Sequence, residues 1–491
     1  MNRKVIIAGA GIGDKENITL KVYKALQDSD TIIYDRLLNK DILNEFIGQK
    51  ELIYVGKKAK NHTLSQEEIN ELMVGKYNEG KKIVRLKGGD PYTFARGSEE
   101  AIFLKKRGVP FEVYPGLSAG SVALNTAGIP QTHRNLSTSV TYITGHRQNN
   151  KEDFFEKYAE IPGTLIFYMG LSNIERIVQD LLLGGKDPNT DIAIISRGGY
   201  NNQKFFKSKL NRVLEDIKGE KFPSPTIIVI GKVISLREEL NYFENRVLFN
   251  KNVLITRSFK ESLLLSDSLI KLGANVINAP TFSINFKNLD LLSKDIDGFD
   301  YDYLIFTSVN SVRIFFKILL EKYDIRKIGK ARIVAIGSKC KEVIETYNLK
   351  VDYYSREGVA EKLYEKLFLI MKKEDRVYLP HSNLSRDFII EELAKHSTLT
   401  HRIVYDNEII REKVDFEGPI DAALFMSSSS VHNFIEVYGK KALIDADIFS
   451  IGNITTQTLK KYGIKNINQS EIASSASLLE KMEKYYENEK N

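Results

Sequence analysis

Short runs of β-branched and apolar residues alternate with stretches of helical period through almost the whole chain, and this alternation leaves few architectures open. Runs of this kind stand at 5–10, 31–34, 83–86, 165–168, 192–195 and 226–230, each abutting glycine, proline or charged loop residues. Between several of them lie segments, such as 64–77 and 174–183, whose apolar residues recur at helical spacing. Buried strands joined by helices make the expected class α/β. At 491 residues the chain is too long for one core, and two to four domains are expected.

The second half repeats itself. VLITRS at 253–258 recurs in outline as VYLPHS at 377–382. DYLIFTSVNSV at 302–312 recurs as DAALFMSSSSV at 421–431, and IVAIG at 333–337 as IFSIG at 448–452. Three matches in constant order predict two similar α/β lobes, with strand ends facing a shared cleft. Ligands of open α/β sheets bind outside the carboxyl ends of strands, where these Ser, Thr and Gly clusters fall. A charged, helix-like run, REELNYFENR at 237–246, separates the halves and sets the boundary near residue 246, giving domains 1–245 and 246–491.

Composition excludes several classes. The single cysteine, Cys340, permits no internal disulfide and no cysteine-based zinc site. The seven histidines include no i, i+4 pair, so no metal is expected. No apolar run approaches the roughly 18 residues that span a bilayer. The apolar stretch after Met1 is short and soon followed by Asp14 and Glu16, so it reads as a first strand, not a signal peptide. A cytoplasmic protein without membrane partners is expected. Net charge is +7, yet no dense basic block or nucleic-acid signature is present. A small polycarboxylate would need only a few placed Arg, Lys and His.

GAGIGD at 9–14 follows the first strand and, with Asp35 after the next, imitates a dinucleotide fingerprint. Asp14 occupies the third glycine position, where an acid would repel a pyrophosphate, so NAD is not expected. A sulfonium ligand without phosphate suits such a turn better. A second cluster, RLKGGDP at 85–91, places two glycines at a strand end, and a third, PGLSA at 115–119, ends the next strand. Glycine there lets backbone approach a ligand closely.

With these motifs on the page, residues 5–240 resemble uroporphyrinogen III C-methyltransferase. The resemblance runs through VIIAGAGIGD, IIYDRLL, VGKKAKNH, QEEIN, RLKGGDPYTFARG, YPGLSAG, AGIPQTHR, YITGH, TLIFYMGLSN and SPTIIVIGKVISLR. It implies the tetrapyrrole methyltransferase fold, two α/β subdomains with a cleft, as a homodimer. It implies S-adenosylmethionine (SAM) as cosubstrate, with contacts on Ile12, Gly88, Gly89, Asp90, Thr93, Ser118, Ala119, Met169 and Gly198. Ile12 departs from the family's proline, and Gly199 from its threonine. The acid–base residues fall on Asp35 and Lys57, each beside the bland reading of a loop ion pair or a surface lysine. Of Arg36, Lys58, His62, Arg85, Arg96, His133, Arg134 and Arg147, some should bind substrate carboxylates, with Arg36, His133 and Arg134 placed first.

Residues 250–491 resemble uroporphyrinogen III synthase through VLITR, the loops at 306–308 and 425–427, the two Ile-Gly turns and Ile403, Val404 and Tyr405. The resemblance implies a bilobal α/β fold that closes hydroxymethylbilane while inverting the last ring. Tyr405 would assist loss of the leaving hydroxyl, or else is a tyrosine packed between the lobes. Ser308, Ser427 and Thr455 would meet substrate, and Cys340 replaces the threonine that matches Thr455. The fusion is coherent, because the synthase's product is the methyltransferase's substrate, within sirohaem or cobalamin biosynthesis. No NAD-dependent dehydrogenase segment is expected ahead of Met1. The alternative is another methyltransferase of this fold joined to a non-catalytic bilobal ligand-binding domain.

Overall fold

The computed structural model describes residues 3–56, 64–145, 155–257, 259–355, 360–385, 387–416 and 418–490. Its contacts divide it into two units: Met1–Val253 with Asp267–Val276 and Met482–Asn491, and Leu254–Ser266 with Ile277–Lys481.

The first unit holds two five-stranded sheets. In the first, β1 (Val5–Gly9), β2 (Thr31–Tyr34), β3 (Glu51–Tyr54), β4 (Ile83–Lys87) and β5 (Phe111–Tyr114) lie in the order β3-β2-β4-β1-β5, all parallel. β1 and β4 are buried on both faces, β1 through an unbroken apolar run and β4 with two charged residues, Arg85 and Lys87, among its apolar ones. Every strand therefore sends its carboxyl end to one edge. The glycine loops after β1 and β4, the 115–119 loop after β5 and Asp35 after β2 all emerge there. The second sheet orders β6 (Val140–Thr144), β7 (Thr164–Tyr168), β8 (Asp191–Ser196), β9 (Lys204–Lys209) and β10 (Thr226–Ile230) as β6-β7-β10-β8-β9. β10 runs antiparallel to both neighbours, so β6, β7 and β8 point the same way. The run expected to be helix-like at 237–246 makes one turn, Arg237–Leu240, and then leaves the helix. Arg237 instead donates to Ala127 O (2.6 Å), pairs with Glu244 and stacks over Phe205.

The second half forms two lobes, as the repeat implied, but the copies interleave. One sheet orders β11 (Asn252–Ile255), β12 (Asn275–Asn278), β19 (Ala422–Phe425), β20 (Asp447–Ser450) and β21 (Ile467–Gln469) as β12-β11-β19-β20-β21. The other contains β13 (Phe282–Phe286), β14 (Tyr303–Phe306), β15 (Arg332–Ala335), β16 (Tyr353–Tyr354), β17 (Arg376–Ser382) and β18 (Thr398–Ile409), in the order β13-β18-β17-β14-β15-β16. The first copy of the repeat supplies β11, β14 and β15, and the second supplies β17, β19 and β20. Each lobe thus takes one strand from one copy and two from the other. The chain leaves the first lobe after β12 and returns after β18.

Candidate active site

Three glycine loops interlock at the carboxyl edge of the first sheet. Gly11 and Gly89 exchange backbone hydrogen bonds (3.2 and 2.8 Å). A Cβ on Gly9 would meet Gly89 O at 2.5 Å, and one on Gly116 would meet it at 2.3 Å, so only glycine fits either position. Gly89 itself has φ 74°, and a Cβ there would project into a space flanked by Ala119 N and Ile12 Cγ2, each 4.0 Å away. The backbone is bare where two residues expected to contact SAM converge. Ile12 is partly buried against the apolar cluster that includes Ala123 and Tyr168. Its carbonyl accepts from Asn17 Nδ2 (2.9 Å), which fixes the loop without proline.

Asp90 is more occupied than a free acceptor for ligand would be. Its Oδ1 accepts from Tyr92 N (2.9 Å) and Thr93 Oγ1 (3.1 Å), and its Oδ2 from Gly116 N (3.2 Å). It therefore ties the β4 loop to the β5 loop, and Thr93 serves it.

The 115–119 loop ends at Ser118, which caps the helix Ala119–Thr126. A residue the sequence did not single out, Tyr168 at the end of β7, holds this cap. Its hydroxyl accepts from Gly120 N (2.7 Å) and lies 2.5 Å from Ser118 Oγ, and its ring packs on Phe94 (5.0 Å) and Tyr142 (5.6 Å). Burial raises the proton affinity of this phenol above the ordinary tyrosine value. The only sequence signal was an aromatic closing a buried strand. Met169 follows with φ 53° and a half-exposed side chain, an unfavourable backbone for a non-glycine residue and a mark of functional sites. Gly198 owes its identity to packing, since a Cβ would meet Ala123 Cβ at 2.3 Å. Gly199 has φ 82° and lies against Val122, so a threonine would be strained here.

Asp35 accepts from Leu37 N (3.2 Å) and pairs with Arg85 (3.4 Å). Arg85 was counted among residues for substrate carboxylates. That is corrected: it is buried and committed to Glu100 and Asp35. Arg96 is exposed and paired with Glu99 (2.6 Å). Arg36 and Arg134 are exposed, and His133 is half-buried in a turn closed by Ser137. The AGIPQTHR loop is anchored beside Tyr168 through Gln131, which accepts from Tyr142 OH and donates to Ser121 Oγ. Lys57, Lys58, His62 and Arg147 lie outside the described residues. A separate recess of about 530 Å³, lined by Asp14, Asn17, Ser121, Gly199 and Arg246 among others, holds none of the residues expected to contact SAM.

In the second half, strand ends again meet helix caps. Ser308 caps the helix Val309–Lys322, and Ser427 caps Ser428–Tyr438 in the same way, each accepting at 3.1 Å from the backbone three residues on. Tyr405, in β18, is buried and donates to Ser308 Oγ (2.9 Å). It packs inside one lobe, in the cluster of Phe306 and Val404, which corrects the reading of a tyrosine between lobes. Thr455 is buried in the first turn of Asn453–Lys461. Cys340 holds the matching place in Ser338–Glu345, and burial pushes its thiol up to about 11. It faces the core of its lobe.

Residues 4–214 match the family model of tetrapyrrole (corrin/porphyrin) methylases, and 264–480 match that of uroporphyrinogen-III synthase HemD. The two define an enzyme of tetrapyrrole biosynthesis with a methyltransferase domain followed by a synthase domain. A porphyrin biosynthesis protein HemD of Ruminiclostridium josui is 31% identical over 97% of both chains. The uroporphyrinogen-III C-methyltransferase of Methanocaldococcus jannaschii is 42% identical over 48% of this chain and 98% of its own. A crystal structure of Thermus thermophilus uroporphyrin-III C-methyl transferase with S-adenyl homocysteine is 34% identical, covering 48% of this chain and 99% of its own, at TM-score 0.41. The chain belongs to the family of the porphyrin biosynthesis protein HemD. Among the described residues no helix is long and apolar enough to cross a membrane.

Proposed function

We propose that the first half methylates uroporphyrinogen III twice to precorrin-2, and that the second half closes hydroxymethylbilane to uroporphyrinogen III with inversion of the last ring. The observation that carries the first assignment is the bare Gly89 backbone between Ile12 and Ala119, a cradle that any side chain at that position would fill. SAM, when bound there, supplies an electrophilic methyl group. Gly88, Gly89 and Ile12 would meet it through backbone and shape, and Ser118, Ala119, Met169 and Gly198 would close the other side. Asp90 and Thr93 would hold the loop. Positioning two reactants in contact supplies several kcal/mol, on the order of 7–11 in the best intramolecular cases. Asp35 and Lys57 would move protons as the pyrrole rearranges. Exposed Tyr92, Phe94 and Leu37 offer apolar surface to a macrocycle, and Arg36, His133 and Arg134 offer charge to its carboxylates.

In the second half Tyr405 would assist loss of the hydroxyl, and Ser308, Ser427 and Thr455 would meet the substrate. The activities divide near residue 246. The enzyme works in the cytoplasm as a homodimer through its first half, with SAM as sole cosubstrate and neither metal nor NAD, on tetrapyrroles and not nucleic acid or membrane. Anaerobic incubation of the pure chain with hydroxymethylbilane and SAM tests this. Product heavier by two methyl groups and of the type III series is expected. Product without added methyl groups would remove the first assignment, and type I product alone the second.

A further inference from the structure

A cluster of charges lies beneath the carboxyl edge of the first sheet. Glu100, on the helix Gly97–Lys106, is fully buried. Its Oε1 accepts from Arg85 Nε (3.1 Å), Lys87 Nζ (2.9 Å) and Gln66 Nε2 (3.1 Å). Its Oε2 is equally enclosed and has no partner among the described residues. Arg85 and Lys87 alternate along β4 and so share one face of the sheet, and both are buried. Burial, with Arg85 beside it, pushes the Lys87 ammonium below the ordinary lysine range. Taking this many charges out of water is costly, and well-packed apolar residues would serve stability as well or better. Such a cluster under a site calls for a role in the site.

The geometry gives that role a direction. Arg85 Nη1 donates to Ile33 O (3.4 Å) and Leu86 O (3.2 Å), at the end of β2 and within β4. Nη2 points outward to Asp35 Oδ2 (3.4 Å). Asp35 is the member of the cluster with appreciable exposure, 27% of its side chain. Its own loop secures only Oδ1, through Leu37 N. The direction of the second oxygen is therefore set by Arg85. Arg96 and Glu99, at the start of the helix that carries Glu100, are exposed and paired with each other.

We propose that Arg85 is a positioning residue for methyl transfer: Glu100 fixes its guanidinium from below, and the guanidinium fixes the carboxylate plane of Asp35 above. This rests on the reading of Asp35 as an acid–base residue. Asp35 is the group that touches substrate, and Arg85 and Glu100 act through it. A guanidinium is suited to the task because its rigid fork engages two partners in set directions, which an ammonium cannot do.

The test is a double-mutant cycle in the full chain, with uroporphyrinogen III and SAM under anaerobic conditions. Asp35→Asn should retain measurable turnover, because acid–base help contributes about a hundred- to ten-thousandfold while proximity remains. Arg85→Gln should lower kcat roughly tenfold or more with SAM affinity by calorimetry within about twofold. Arg85→Lys should recover only part of the loss. In the Asp35→Asn background, Arg85→Gln should cause no further loss, since its effect passes through the missing carboxylate. Glu100→Gln keeps the volume of the buried anion and serves as a second probe should Arg85→Gln fail to fold. Its smaller loss of kcat should also vanish with Asp35→Asn. Losses that multiply in the double variants, or a fall in SAM affinity matching the fall in kcat, would make the cluster merely structural while leaving Asp35 its role. Full turnover by Asp35→Asn would overturn both readings.

Discussion

Tyr405→Phe separates packing from chemistry in the synthase half. The change deletes one hydroxyl and keeps a ring buried among Phe306, Phe315 and Val404. Ser308 Oγ loses the Tyr405 donor but still accepts from Ser311 N (3.1 Å) and donates to Ser311 Oγ (3.1 Å). No buried group is orphaned, so the stability cost is that of one ordinary hydrogen bond, about 0.5–1.5 kcal/mol. A loss that small leaves the folded population of a stable enzyme almost unchanged. If the hydroxyl assists loss of water, turnover should fall about ten- to a thousandfold, the general-acid range or just below it. At 1.36 kcal/mol per decade that is roughly 1.4–4 kcal/mol of barrier. The assay is conversion of hydroxymethylbilane without SAM, scored as rate and as ratio of type III to type I product. Uncatalysed closure gives type I, so residual type III marks the enzyme's share. Ser308→Ala is the control: it removes the acceptor that holds the phenol and should cost rate by less than Tyr405→Phe. A Phe variant with full rate and full type III yield would refute the chemical role and return Tyr405 to packing.

Asp90→Ala should weaken SAM binding about ten- to a hundredfold, because it removes a charged acceptor and releases the β4 and β5 loops from each other; unchanged affinity by calorimetry in a folded variant would contradict it. The Cys340 thiol, raised by burial to about 11, favours the folded state fully below its ordinary value of 9.0 and loses that contribution as pH rises from there toward 11. Cys340→Ala should flatten this alkaline loss in urea melts, and rapid labelling of the native thiol at pH 8 would show that the site is open. A cut near residue 246 should leave an N-terminal piece that still methylates but melts below its counterpart in the full chain. It loses the carbonyls of Ile270 and Ala274 that Asn201 Nδ2 bonds (3.2 and 2.6 Å) and the Lys15–Asp267 pair (2.6 Å). An unchanged midpoint would show that those contacts contribute nothing.

Local order was legible wherever periodicity and burial agree. The strand at 83–86 is found as Ile83–Lys87, the helix at 174–183 as Ile174–Leu183, and the glycine loops fall at strand ends because only glycine tolerates their mutual approach. What the sequence hid were choices made by distant partners. Arg85 sits in a motif that reads as a ligand for carboxylates, but Glu100, from the following helix, takes it inward. Tyr168 looked like the last residue of a buried strand, yet its hydroxyl caps a helix 48 residues earlier. The repeat announced two lobes without disclosing which strands pair, because similar strands fit either sheet equally well.

The two lobes of the synthase half differ at one pair of helix caps. Apart from its extra edge strand β13, the six-stranded sheet repeats the order of the five-stranded one, and Ser308 and Ser427 cap equivalent helices with equal geometry. Among the described residues only the Ser308 cap is met by a tyrosine. β12 ends at Asn278 after four residues, whereas its equivalent, β18, runs for twelve and carries Tyr405 level with Ser382, the last residue of β17. Length alone would not aim the side chain, because neighbours in a strand face opposite sides. Val404 and Tyr405 nevertheless pack in the same cluster. The register supplies the reason: His381 pairs with Ile403 but Ser382 pairs with Tyr405, so β18 bulges by one residue there. Such a bulge re-aims the residue beyond it. His381 braces the place from the partner strand, its Nδ1 bonded to Ser382 O (2.8 Å) and its Nε2 to His401 Nδ1 (3.0 Å). Burial, with His401 beside it, lowers the proton affinity of His381 and favours the neutral ring that one donor and one acceptor require. A duplicated scaffold thus acquires a single tyrosine at one of two equivalent caps through one long strand and one inserted residue.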